Sequence, residues 1–218
     1  MDVWGIPARK AAKMGADESV SKAQAPKAKK SHRRKAACVE ISDNTLCRRA
    51  WGVERLLACI GMEPPKDGVS YHIMTGGNID TLSFFKGLLL HVKRVKHLMV
   101  STWVISAEDV LQLDEWLTDG TIGSLDVFVG EIYPNQYKVE WEMLREMMER
   151  HRQPRLCYFA NHAKVLAFED YGGGKYVVES SANLNRNPRN ENGVITKSAE
   201  LYDFYIDYYK DIKSYNYE

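Results

Sequence analysis

Apolar residues recur along most of this chain with one of two periods, and the period changes at turn-forming residues. Between 43 and 62 the spacing is helical, with Leu46, Ala50, Val53, Leu56, Leu57 and Ile60 forming one stripe. Asp43 or Asn44 offers a start cap, and Gly61 followed by Pro64-Pro65 stops the run. Trp51 sits on this helix and is read as packing it onto the body of the protein. From Val69 onward, short apolar runs alternate with helical ones. Strands are predicted over 69–74, 98–105 and 125–129, and helices over 79–95, from a Ser106 cap through Leu117, and over 137–152. Leu156 to Phe159 leads into a strand carrying His162 and Lys164, and Gly172-Gly173-Gly174 turns it back into 175–179. A last strand at 194–196 and a closing helix over 198–215 complete the pattern.

Strands alternating with helices and ending in a hairpin predict an α/β fold, a mixed, mostly parallel sheet with helices on both faces. The predicted organisation is a disordered basic arm over 1–37, a helical extension over 38–66 and a main domain over 67–218. Net charge is only +1, but it is unevenly spread. Arg9, Lys10, Lys13, Lys22, Lys27, Lys29, Lys30, Arg33, Arg34 and Lys35 face only Asp17 and Glu18 in the same stretch. Lys27, Lys29, Lys30, Arg33, Arg34 and Lys35 are therefore candidate nucleic-acid-binding residues, acting through counterion release and without sequence preference. Cys38, Cys47, Cys59 and Cys157 have no CxxC spacing, so neither a zinc site nor a disulfide framework is expected. The N-terminus lacks the apolar core of a signal peptide, and no apolar run approaches the roughly 20 residues of a membrane span. A cytoplasmic protein without membrane association is the expectation.

The chemistry concentrates in one region. His162 and Lys164 are two apart on a predicted strand, where such residues share a face. Glu169 follows, then Ser180-Ser181-Ala182-Asn183, then Glu191 in Asn190-Glu191-Asn192-Gly193-Val194. An imidazole nucleophile beside a fixed cation suits attack on a phosphodiester without a metal. Tyr133, Lys138 and Trp141 flank the loop after 125–129, a position that lines ligand sites in α/β sheets, and Tyr133 is weighed there as a base-stacking platform. Gly76-Gly77 and the triple glycine lack the Gly-Lys-Ser/Thr of a phosphate loop and are read as turns, with the 75–78 loop near the groove. The tyrosines at 202, 205, 208 and 209 are read mainly as packing.

From His162 to Glu191 the residues resemble the HKD motif of the phospholipase D superfamily: His-x-Lys, a later acid, and a Gly-Ser-x-Asn element. His162, Lys164, Ser181 and Asn183 fall on the motif's positions, and Glu191 resembles the Glu that follows in the single-motif bacterial nucleases. Glu169 stands where Asp is usual, and Ser180 where Gly is usual. His91-Val92-Lys93 repeats the triplet late in a predicted helix, where residues two apart do not share a face, and is read as a chance match. The resemblance thus implies a half-domain of the phospholipase D type with one motif per chain, and a homodimer that assembles one composite site. It implies catalysis by His162 through a phosphohistidine. Lys164 and Asn183 would hold the nonbridging oxygens, Ser181 would bond phosphate or position Asn183, Glu191 would orient the imidazole and Glu169 would be structural. The expected activity is that of a metal-independent, cofactor-free phosphodiesterase and endonuclease acting on DNA or RNA. The alternatives are a non-catalytic nucleic-acid-binding protein of this fold and a phospholipase or phosphatidyltransferase.

Overall fold

The computed structural model describes residues 44–77, 79–185 and 188–215, with side chains from residue 49 onward. The basic arm and its six candidate residues lie outside the described residues, as does the proposed Asp43 cap. The chain divides into Met1–Glu40 and Ile41–Glu218, and the second unit carries every described element.

Seven strands form one sheet in the order β1-β7-β6-β5-β2-β3-β4. They are β1 (Ser70–Met74), β2 (Val95–Ser101), β3 (Leu125–Gly130), β4 (Arg155–Phe159), β5 (Val165–Asp170), β6 (Lys175–Ser180) and β7 (Asn192–Lys197). The helices are α1 (Asn44–Ile60), α2 (Thr81–Val92), α3 (Ala107–Thr118), the single turn α4 (Tyr133–Gln136), α5 (Lys138–Arg150) and α6 (Ala199–Tyr209). The α/β class and the mixed sheet match the sequence expectation. The balance of directions does not, because four of the six strand pairings are antiparallel and only β2–β3 and β3–β4 are parallel. The helix-linked strands β1 to β4 do run the same way. The β5-β6-β7 meander, however, inserts between β1 and β2 and gives each of them an antiparallel neighbour.

Alternation along the strands divides the core between the two faces. Leu98 and Val100 of β2, Val127 and Val129 of β3, Leu166 and Phe168 of β5 and Val178 of β6 are fully covered, together with Leu56, Phe84, Phe85, Leu88, Leu113 and Leu144 of the helices. The opposite face buries Met99, Phe128, Val165, Ala167 and Val177 under Tyr202 and Tyr209 of α6. Helices therefore cover both faces. Start caps follow the sequence signals, since the Ser106 hydroxyl accepts from the Asp109 backbone N–H and Ser198 does the same for Leu201.

Helix α1 belongs to this core. Leu56 is fully buried, and its side chain fills the space a Cβ at Gly87 would need. Arg49 on the same face is buried and pairs with Asp109 at 2.5 Å and Asp80 at 3.6 Å. Trp51 is corrected, being 65% exposed and turned away from the body. Tyr133 is also corrected. It is fully buried and donates its hydroxyl to the Ile105 carbonyl at 2.9 Å, so it is not available to stack on a base.

Candidate active site

One end of the sheet collects His162, Lys164, Ser181, Asn183 and Glu191, but not Glu169. Because β1, β2, β3, β4 and β6 run one way and β5 and β7 the other, five carboxyl ends and two amino ends meet there. The register aligns them: Ser101 lies opposite Val165, Val165 opposite Glu179, Ser180 opposite Gly193 and Met74 opposite Asn192.

His162 and Lys164 are not on a strand, as the alternation predicts, but in the connection between β4 and β5. Alternating faces therefore do not bring them together. Lys164 Nζ reaches back to His162, 2.7 Å from Nδ1 and 2.6 Å from the carbonyl oxygen. The connection is held by Asn161, which is buried. Its Nδ2 donates to Ser101 Oγ at 3.0 Å and to the carbonyls of Thr102 and Phe128 at 3.2 Å each, while Oδ1 accepts from the Ala163 backbone N–H at 3.1 Å. A side chain that satisfies the ends of β2 and β3 and the connection at once leaves little freedom to the residues on its C-terminal side.

Lys164 is buried while His162 is exposed. Burial lowers the Lys164 pKa from its ordinary value, and the negative charge of Glu191 partly offsets this. A short contact from a lysine ammonium makes Nδ1 of the imidazole an acceptor, which puts the ring proton of the neutral tautomer on Nε2. The Trp103 ring lies against His162, centroid to centroid 5.0 Å. Trp103 also governs the third element of the site. Its backbone N–H donates to Asn183 Oδ1 at 3.2 Å, and the Thr102 hydroxyl donates to the same oxygen at 3.4 Å. The carbonyl end of Asn183 is thereby occupied, and Nδ2 is the end it presents as a donor. Gly130 makes room for this arrangement, since a Cβ there would lie 2.2 Å from the Trp103 ring.

Ser181 and Glu191 form the other wall. The Ser181 hydroxyl donates to the Glu191 carboxylate and accepts from the Asn192 backbone N–H at 3.1 Å. Ser180, where the motif has Gly, uses its hydroxyl locally: it donates to the Asn192 carbonyl and accepts from the Ala182 N–H, both at 3.0 Å. The loop after β1 clamps the Glu191 segment from outside. Thr75 N–H donates to the Glu191 carbonyl at 2.8 Å, and Glu191 N–H donates to Thr75 Oγ1 at 2.9 Å. Gly77 in that loop has φ +73°, and a Cβ there would meet the Pro188 carbonyl oxygen at 2.1 Å, so only glycine fits.

Glu169 lies at the far end of β5 from Lys164 and pairs with Lys96 at 3.3 Å on the surface. Its neighbour Asp170 accepts from the Gly172 and Gly174 backbone N–H groups at 2.6 and 2.9 Å and so shapes the hairpin turn. The second triplet breaks at a helix end, where Lys93 caps α2 with φ +64°. Sequence reasoning set the loop that begins at Thr75 near the groove, where Thr75 is found against Glu191, but assigned no role to Asn161, Thr102 or Trp103. Local periodicity carries no mark for them, because each acts through partners distant along the chain. Among the described residues no group of three or more His, Cys, Asp or Glu is placed to hold a metal ion, and no helix is long and apolar enough to cross a membrane.

No protein-family model matches the chain, and no curated protein matches it. Solved structures with a similar chain trace include yeast tyrosyl-DNA phosphodiesterase (8% identity, TM-score 0.34, covering 47% of this chain and 26% of that one). A mutant of the same yeast enzyme covers 58% of this chain and 32% of its own at 10% identity and a TM-score of 0.37. TrmBL2, an archaeal chromatin protein, covers 77% of this chain and 60% of its own at 8% identity and a TM-score of 0.45. In each case the match spans less than two thirds of the other protein's length.

Proposed function

We propose that this chain is a metal-independent phosphodiesterase of the phospholipase D type, cleaving nucleic acid through a phosphohistidine at a homodimer interface. The observation that carries the reading is the buried Lys164 ammonium held against the exposed His162 imidazole, beside Asn183, Ser181 and Glu191. A cation kept dry beside a solvent-facing nucleophile is arranged for an anion that brings its own charge to the site.

In the first step a nonbridging phosphate oxygen takes the Lys164 ammonium, and Nδ2 of Asn183 donates to the same phosphoryl group. Once lysine leaves Nδ1, the ring proton passes from Nε2 to Nδ1 by way of solvent, Glu191 accepts a hydrogen bond from it there, and the freed Nε2 lone pair attacks phosphorus. The P–N bond forms as the bond to the leaving oxygen breaks, and His162 of the second copy gives that oxygen its proton. In the second step the same imidazole takes a proton from water, which attacks phosphorus and breaks the P–N bond. Both steps build charge on the nonbridging oxygens, where Lys164 and Asn183 stabilise it most. The basic residues between Lys27 and Lys35 add affinity for any polyanion.

The test is incubation of the full chain with single- and double-stranded DNA and RNA in EDTA, beside a His162→Ala variant. Cleavage that persists in chelator and falls at least about 1,000-fold in the variant is expected. Binding without cleavage by the unaltered chain overturns the catalytic reading in favour of a binding protein. Headgroup release from phospholipid vesicles without nucleic-acid cleavage overturns the choice of substrate.

A further inference from the structure

His162 borders an aromatic cleft of about 310 Å³ that the phosphoryl chemistry does not use. Its walls are Phe159 at the end of β4, the 160–163 connection and four aromatic residues of α6. Those four form two rows with helical i,i+4 spacing. Tyr205 and Tyr209 are the fixed row: the Tyr205 hydroxyl donates to Glu179 Oε1 at 2.5 Å and the Tyr209 hydroxyl to Ser101 Oγ at 2.7 Å. Phe204 and Tyr208 are the open row, 58% and 62% exposed. Each rests edge-on against a fixed neighbour, with centroids 5.1 and 5.2 Å apart. Packing does not require this second row, because α6 is seated through Tyr202, Tyr209, Leu201 and Ile206. Two large aromatic faces held open beside a candidate nucleophile are the mark of a binding surface.

We propose that this cleft receives an unstacked nucleobase of the nucleotide adjoining the phosphate at His162 and Lys164, an assignment that rests on the phosphodiesterase reading above. Apart from His162, the lining has no ionisable side chain other than tyrosine, so it offers no ion-pair partner to a second phosphate. Its flat apolar faces match the π-face that every base presents. The Asn161 amide and the Tyr205 and Tyr209 hydroxyls are already spent on internal hydrogen bonds, so the fixed wall offers stacking faces rather than edge partners. Stacking without edge readout favours unpaired strands and discriminates little among bases. A paired duplex keeps its bases stacked inside and cannot fill the cleft without extruding one.

The experiment measures both binding and EDTA-resistant cleavage by the full chain. The probes are a mixed-sequence single strand, its duplex and an oligomer of abasic sugar phosphates of equal length. The proteins are the unaltered chain, Phe204→Ala/Tyr208→Ala and Tyr208→Phe. The unaltered chain should bind the single strand about 5- to 100-fold more tightly than the abasic oligomer. The double variant should lose that difference while keeping its melting temperature, because both side chains are exposed, and Tyr208→Phe should retain it. Equal binding of intact and abasic strands, or a difference that survives the double variant, overturns the cleft assignment and leaves the cleavage reading untouched. Base-dependent binding that follows Phe204 and Tyr208 without any cleavage supports the cleft and overturns the reaction.

Discussion

At the scale of single residues, the role proposed for Lys164 sets catalysis against stability. Its pKa is lowered from 10.5 by burial, so the folded chain holds fewer protons than the unfolded one from the shifted value up to the ordinary one. Stability therefore rises with pH across that window, and the cost of the buried ammonium is felt in full below it. Lys164→Met keeps the stem and removes the charge. It should melt about 2–4 °C higher at pH 7 for each ~1 kcal/mol relieved, with the gap closing above pH 10. Cleavage should fall by a factor on the order of 100 to 1,000. A variant that melts lower at pH 7 and no differently at pH 10 would show that the contacts to His162 outweigh the desolvation. The residues that aim this pair, Asn161 and Trp103, are ordinary letters in the sequence. Only the return of β2 beside β5 gives them their partners.

At the scale of elements, α1 is held by a buried charge cluster as well as by Leu56. Burial raises the Asp109 carboxyl from 3.8 to about 6, with Arg49 opposing the shift. A raised carboxylate pKa means that the folded chain binds more protons than the unfolded one, so this group's contribution falls as pH rises from about 4 to about 6. Arg49→Met removes the opposing cation and leaves Asp109 buried without it. Loss of a partner from a buried pair costs roughly 3–5 kcal/mol, or roughly 6–20 °C of melting temperature at this chain length. Thermal melts should show that loss at pH 7 and recover much of it at pH 5, where the carboxyl keeps its proton. Equal losses at both values would mean that Arg49 acts by packing alone. The outer edge of β4 is covered in a different way. The chain beyond α6 returns along it, with the Tyr215 N–H donating to the Tyr158 carbonyl at 3.0 Å and Ser214 Oγ accepting from the Tyr158 N–H at 3.2 Å.

At the scale of the whole molecule, the proposed chemistry needs two imidazoles, and each chain supplies one motif. The species in solution should have twice the 24.9 kDa of a single chain. Light scattering or sedimentation measures this directly. Co-refolding the unaltered chain with His162→Ala in varied ratios gives a sharper readout. If one site uses both copies, activity falls as the square of the unaltered fraction; if each chain works alone, it falls in proportion. A linear decline would remove the dimer from the mechanism.

Hydrophobic period and turn residues were enough to locate nearly every helix and strand, because burial of one face is a local requirement written into each segment. The spacing of His162, Lys164, Ser181, Asn183 and Glu191 likewise marked residues that the fold gathers at one end of the sheet. Strand order was not legible in this way. Whether β1 pairs with β2 or with β7 depends on which edge stays open when the β5-β6-β7 meander docks, and that is a competition between distant surfaces. The same docking turned a predicted strand through His162 into a clamped connection and opened the α6 aromatics beside it. Local pattern sets what each segment is. Its neighbours, and so its chemistry, are decided only when the layers close.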